Sequence, residues 1–227
     1  CFDFPLVKIY PDVFALELFH GPTMAFKDVG ARFMARCLSY FNQYENDEVT
    51  VLVATSGDTG GAVASGFLGV KGVKVVILYP SKKVSEVQEK QLTTLGQNIT
   101  ALEVDGTFDD CQAMVKNAFM DAAINDKIKL TSANSINVAR WLPQMFYFAF
   151  AYKQLEDKNK KLAIAVPSGN FGNICAGMMA QQLGLPIDHF IAATNSNRVV
   201  PNYLETGNYM PSRSVQTISN AMDVGDP

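Results

Sequence analysis

Val49-Thr50-Val51-Leu52-Val53-Ala54-Thr55-Ser56-Gly57-Asp58-Thr59-Gly60-Gly61 is the stretch on which the fold turns. Its first six residues are a continuous apolar run rich in β-branched side chains, the pattern of a strand buried on both faces. A Gly-rich turn follows at once, and a small-residue helix is expected over 61–70. Residues 74–79 then repeat the strand pattern.

Downstream the alternation persists. A polar helix over 85–95 is capped by Ser85. A strand over 99–104, a helix over 108–123 and a short strand over 128–131 come next. One long helix is predicted over 137–155 around Trp141, then a strand over 162–166, a second Gly-rich turn, a helix over 173–183 and a last strand over 189–193. Upstream, 13–19 predicts a strand, and apolar residues at 26, 29, 33, 34, 37, 38 and 41 form a helical stripe. Strands alternating with helices predict an α/β fold: a parallel, doubly wound sheet covered on both faces. Ligands in such sheets sit beyond the carboxyl ends of the strands, where both Gly-rich turns lie.

Of 227 residues, 48% are apolar and 18% charged, and 19 basic against 22 acidic side chains leave a net charge of −3. This composition supports a packed core and argues against disorder. The weak negative balance argues against a nucleic-acid or anionic-membrane surface. Cys1, Cys37, Cys111 and Cys175 are widely spaced, with only His20 and His189 beside them, so no metal site is expected. We read the cysteines as reduced core residues of a cytoplasmic protein. No apolar run approaches the ~20 residues of a membrane helix. The chain opens at Cys1 without Met and stops at Asp226-Pro227, so an internal fragment of a longer protein is expected.

Four short constellations carry chemistry. Ser168-Gly169-Asn170-Phe171-Gly172-Asn173 joins a strand to a helix; its glycines and free N–H groups suit a phosphate, or make an ordinary tight turn. Thr55 to Gly61 offers hydroxyls and N–H groups to a carboxylate. It has neither the G-x-G-x-x-G spacing of a dinucleotide loop nor the Gly-Lys-Ser/Thr ending of a nucleoside-triphosphate loop. His20-Gly21-Pro22-Thr23-Met24-Ala25-Phe26-Lys27-Asp28 delivers a lysine to the first turn of an apolar helix. There a positive dipole end and partial desolvation lower an amine's pKa, unless Lys27 is a surface residue paired with Asp28. Ser132-Ala133-Asn134-Ser135-Ile136-Asn137 with Arg140 suits a second oxyanion, or caps a helix beside a solvated arginine.

The run from His20 to Asp28 resembles the cofactor-lysine signature of the threonine synthase family. Ser56 to Gly61, Ser132 to Arg140, Pro167 to Asn173 and Ser219-Asn220-Ala221-Met222-Asp223-Val224 resemble further blocks of that family, in the same order. Asp58 is characteristic of the bacterial and fungal branch. The resemblance implies the fold-type II architecture of pyridoxal-phosphate enzymes, tryptophan synthase β-like, with two doubly wound parallel-sheet domains, here incomplete at both ends. Residues 1–28 and 160–227 would belong to the larger cofactor domain and 29–159 would form the smaller one. The implied cofactor is pyridoxal 5'-phosphate, in a Schiff base with Lys27, the catalytic residue. Asp58, Gly169, Asn170, Phe171, Gly172 and Asn173 would bind the rest of the cofactor. The implied reaction, part of threonine biosynthesis, converts O-phospho-L-homoserine and water to L-threonine and phosphate. Thr55, Ser56 and Thr59 would bind the substrate carboxylate, and Asn134, Ser135, Asn137 and Arg140 its phosphate. Alternatives are another fold-type II lyase (a threonine dehydratase or phosphohomoserine lyase) and a non-catalytic anion-binding module or inactive fragment. Monomer and homodimer are both compatible with the resemblance.

Overall fold

The computed structural model describes residues 3–44 and 48–227. The reading of Cys1 falls outside them. The stretch that opened the analysis folds as β3 (Val49–Ala54), the turn, and α2 (Asp58–Phe67), which starts at Asp58 rather than at 61. β3 sits at the heart of a four-stranded parallel sheet ordered β5-β4-β3-β6, with β4 (Val73–Pro80), β5 (Ile99–Val104) and β6 (Lys129–Ser132). All three pairings are in regular parallel register.

Side chains alternate across this sheet, so each face needs its own cover. Val51, Val53, Val75 and Ile77 face α1 (Asp28–Phe41), α2 and α3 (Glu86–Thr93) through Ala31, Met34, Val63, Phe67 and Leu92. Leu52, Ala54 and Leu78 face α4 (Phe108–Met120) through Phe108, Cys111 and Val115. The expected two-faced cover is therefore present.

A second core joins the ends of the chain. It packs Phe4, Tyr147, Phe148, Val166, Ile174 and Ile187 with Leu16, Leu18 and Phe26. Its strands are β7 (Ala163–Pro167) and β8 (His189–Ala193), a parallel pair flanked by α8 (Gly172–Gln182). β1 (Leu6–Tyr10) and β2 (Val13–Leu16) form an antiparallel hairpin, a departure from the purely parallel expectation. The predicted strand over 13–19 ends early, at Leu16.

Three helices differ from expectation for identifiable reasons. The stretch 137–155 is divided into α6 (Val138–Trp141), a 3₁₀ turn (Leu142–Gln144) and α7 (Met145–Gln154). Pro143 lies at the break, where it lacks the N–H an uninterrupted helix would use. The stretch 108–123 breaks at Asp121, whose carboxylate accepts from Ala123 N–H and Ile124 N–H to start α5 (Ala122–Asn125). An unforeseen α9 (Val199–Thr206) carries Pro201 in its first turn, where proline is tolerated. Cys111 is buried, but Cys175 is exposed, contrary to the core reading of the cysteines. No helix among the described residues is long and apolar enough to cross a membrane.

Candidate functional site

A cavity of about 970 Å³ runs from the carboxyl ends of β3, β6 and β7 along β7 to the β1–β2 hairpin and α7. It is lined by Lys27, Ser56, Asp58, Thr59, Asn134, Ser135, Arg140 and the turn Gly169–Asn173, so most of the predicted site residues meet there. Thr55 and Asn137 do not line it.

Lys27 is the N-cap residue of α1, immediately before Asp28. Its side chain is 15% exposed, and Nζ lies 3.9 Å from Asp58 Oδ2 and 5.4 Å from the centre of the Phe26 ring. Burial pushes the ammonium below the ordinary lysine range; Asp58 opposes this and Arg140 adds to it. The alternative of a surface lysine paired with Asp28 does not hold. Asp28 is 1% exposed and turns the other way. Its carboxylate accepts from Thr23 Oγ1 at 2.6 Å and Thr23 N–H at 3.0 Å, holding the His20–Thr23 turn against α1. A Cβ at Gly21 would lie 2.2 Å from Asp28 Oδ2, so only glycine fits there.

The peptide around Lys27 is clamped from α6 and α7. Tyr147 donates its hydroxyl to the Phe26 carbonyl, and Arg140 donates from Nη1 to the Lys27 carbonyl at 3.2 Å and from Nε to the Ala133 carbonyl at 2.7 Å. Arg140 is 3% exposed, and burial pushes its guanidinium down to about 10. The solvated arginine considered above is thus absent, and two of the five guanidinium hydrogens are engaged by backbone. Tyr147, also buried, has its phenol pushed upward by desolvation.

Four further assignments change in character. Thr55 is fully buried, and its Oγ1 accepts from Gly57 N–H at 2.9 Å and Gly60 N–H at 2.7 Å. It ties the turn together from beneath. Asn137 caps α6 by accepting from Ala139 N–H and donates to the Ser132 carbonyl. Asn134 pairs both ends of its amide with the backbone of Ala54, at 3.0 and 2.7 Å. Asn173 donates to the Pro167 carbonyl and accepts from Ser168 Oγ and Ile174 N–H, so its side chain staples its own turn.

The 168–173 turn has the features of an anion cradle. Phe171 adopts φ +60° as the N-cap of α8, the left-handed region that bulky residues avoid. The helix that follows presents N–H groups without intrahelical partners. Behind the turn, a Cβ on Gly169 would stand 2.8 Å from Met222 Cα, and one on Gly172 would stand 3.0 Å from Ser135 Cβ. Met222 is held by Asp223, which accepts from Thr217 Oγ1 at 2.6 Å and Asn195 Nδ2 at 2.8 Å. The resemblance had singled out Ser219–Val224 without giving it a task; packing behind the cradle is that task.

An amine held against a carboxylate, hydroxyl-bearing loops and an anion cradle around one cavity are a donor set that fits a phosphorylated aldehyde. The fold and this site define a class: the chain belongs to the family of pyridoxal-phosphate dependent enzymes, whose family model matches residues 6–227. Within that class, similar proteins at 43% identity or more include threonine synthases. That of Buchnera aphidicola (subspecies from Acyrthosiphon pisum) is 53% identical over 228 residues, covering 100% of this chain and 53% of the relative. The crystal structure of threonine synthase from Escherichia coli superposes with a TM-score of 0.94 at 51% identity, covering 100% of this chain and 53% of that one. A threonine synthase from Brucella melitensis, solved with pyridoxal phosphate bound, gives 0.87 at 43% identity, covering 98% of this chain and 48% of that one. The chain spans about half the length of the curated relatives it matches.

Proposed function

We propose that this chain carries the cofactor-binding heart of a threonine synthase, which converts O-phospho-L-homoserine and water to L-threonine and phosphate. The observation that carries the proposal is Lys27: a desolvated amine fixed at a helix start, facing Asp58 in a cavity shared with the anion cradle. Pyridoxal phosphate, when bound, supplies an electron sink for carbanion chemistry at the substrate carbons. The phosphate of the cofactor would rest on the N–H groups of Gly169–Asn173 and the start of α8.

In this reading Lys27 Nζ is the group that would hold the cofactor at its aldehyde. As a free amine Nζ would carry protons between adjacent substrate carbons, its lowered pKa suiting both directions of transfer. Asp58 balances its charge. Ser56 and Thr59 orient the substrate carboxylate at the start of α2. Ser135 and the remaining hydrogens of Arg140 receive the substrate phosphate, while Asn134 and Asn137 shape the loop that presents them. We divide the chain into a smaller unit over 29–159 and cofactor-domain pieces at 1–28 and 160–227; one sheet core lies wholly within 29–159, while Val29, Trp141 and α7 pack onto the pieces and Val224 packs back onto the smaller unit.

The test is to load the full-length protein with pyridoxal phosphate, reduce with borohydride and map the adduct by peptide mass. Attachment confined to Lys27, with threonine and phosphate released in equal amounts from phosphohomoserine, is expected. Labelling scattered over surface lysines sinks the site, and 2-oxobutyrate as the main product reassigns the enzyme to a lyase of the same architecture.

A further inference from the structure

We propose that Gln88, on α3 and outside every motif described above, is a positioning residue that holds the Asp58 carboxylate against Lys27. Its amide has only one consistent orientation. Oε1 accepts the backbone N–H of Ser85 at 2.9 Å, closing the capping box of α3. A backbone N–H can only donate, so that end is oxygen. Nε2 is therefore the end that meets Asp58 Oδ1, at 2.7 Å. With Oδ1 taken, Oδ2 is left facing Lys27 Nζ at 3.9 Å.

Two further contacts make this a built arrangement. Gly57, at φ +131°, could not carry a side chain, since a Cβ there would stand 2.3 Å from the Gln88 amide carbon. The absence of that side chain is what lets α3 reach the start of α2. From the other side, Asn220 Nδ2 donates to the same Oε1 at 3.0 Å. Asn220 is two residues from Met222, which backs Gly169. Gln88 thus ties the carboxylate beside the amine to the segment behind the anion cradle. A helix-capping residue serves two purposes: one end stops the helix from fraying, and the other fixes a charge.

The inference rests on Lys27 being the reactive amine, but its test does not need the cofactor. Gln88→Met and Ser85→Ala separate the two purposes. Methionine matches the length of glutamine without adding a charge, and it removes the donor to Asp58. Ser85→Ala takes the hydroxyl from the capping box and leaves that donor in place. The apparent pKa of Lys27 is measured in the cofactor-free full-length protein by competitive labelling with trace acetic anhydride and peptide mass spectrometry. Because Asp58 is the group that raises the amine's pKa, Gln88→Met is expected to lower the labelling midpoint. Asp58→Asn gives a fall in the same direction. Ser85→Ala lowers thermal stability and leaves the midpoint unmoved. When Asp58→Asn and Gln88→Met are combined, the midpoint falls no further than in Asp58→Asn alone. A midpoint for Gln88→Met that is unchanged or raised, or shifts that simply add in the double variant, overturns the proposal and leaves Gln88 a capping residue only. If the parent fails to take pyridoxal phosphate at Lys27, the cofactor reading fails, while the labelling midpoints still decide the role of Gln88.

Discussion

The two Gly-rich turns, 55–61 and 168–173, do the same topological work and are held in opposite ways. Each leaves a parallel strand and enters a helix at the ligand end of a sheet. The first is locked from within: Thr55 Oγ1 takes two of its N–H groups, at 2.9 and 2.7 Å, and a Cβ at Gly60 would stand 2.6 Å from Thr55 Cγ2 and 2.7 Å from Leu92 Cδ2. The second is stapled by the Asn173 side chain but also braced from outside, by Met222 behind Gly169 and Ser135 behind Gly172, with Phe171 held in a left-handed conformation. A turn that engages its own donors is part of the core. In the proposed function the second keeps the N–H groups of Gly169–Asn173 for the cofactor phosphate. Similar glycine content therefore accompanies an internally locked turn in one place and, in the proposed function, an anion cradle in the other.

The largest effect is expected at Lys27, which shares the cavity with both turns. Lys27→Ala in the full-length protein should lower turnover of phosphohomoserine by roughly 10³-fold or more, measured as phosphate release, because the group removed acts in the reaction itself. If turnover survives, the two turns frame a binding site with no covalent chemistry. Gly169→Ala should come next. The added methyl meets backbone and displaces the cradle, so pyridoxal phosphate affinity should fall by about 10²-fold, with little loss of thermal stability. Thr55→Val should show the reverse balance. It leaves two buried N–H groups unpaired, costing about 2–4 kcal/mol in denaturant unfolding while affinity changes less. If Gly169→Ala proves to be the stability variant and Thr55→Val the affinity variant, the contrast between the turns is broken.

The smallest effect is a pH dependence. Burial holds the native pKa of Lys27 below that of an unfolded lysine, so between the lowered value and about 10.4 the unfolded chain binds more protons than the native one. The contribution of this residue to stability therefore rises with pH across that window. Below it the cost of burying the ammonium is present in full. Lys27→Met should unfold at higher denaturant than the parent at neutral pH, and its advantage should shrink as pH climbs toward about 10.4. A constant gap in equilibrium unfolding curves would show that the amine in the cavity is not appreciably desolvated.

Much of the site was legible because its chemistry lies in contiguous runs. Lys27, the loop from Ser56 to Thr59 and the turn from Gly169 to Asn173 each sit at a junction that apolar patterning locates within a few residues. What stayed hidden depends on partners far apart in sequence. Nothing in the run around Asp28 says that its carboxylate turns back to Thr23 and leaves Lys27 to Asp58, 31 positions away. Arg140 reads equally as an oxyanion ligand or a solvated cation until α6 packs against α1, where a Cβ at Gly30 would stand 2.2 Å from the Arg140 carbonyl oxygen and its guanidinium reaches the Lys27 carbonyl. Tyr147 lay in a helix read as continuous, so its reach to Phe26 could not be anticipated.

By itself the sequence determined the α/β alternation, the strands of the four-stranded sheet and the junctions where ligands gather. Hydrophobic periodicity and glycine placement are local properties that act over a few residues. Only the tertiary structure decided which polar groups remain available. Thr55 carries the same hydroxyl as Ser56, and Asn137 can donate and accept as Ser135 can, but packing turned Thr55 and Asn137 inward onto backbone and left Ser56 and Ser135 on the cavity wall. The physical reason is that a buried N–H or C=O must find a partner. Which side chain supplies it is fixed by the contacts between elements.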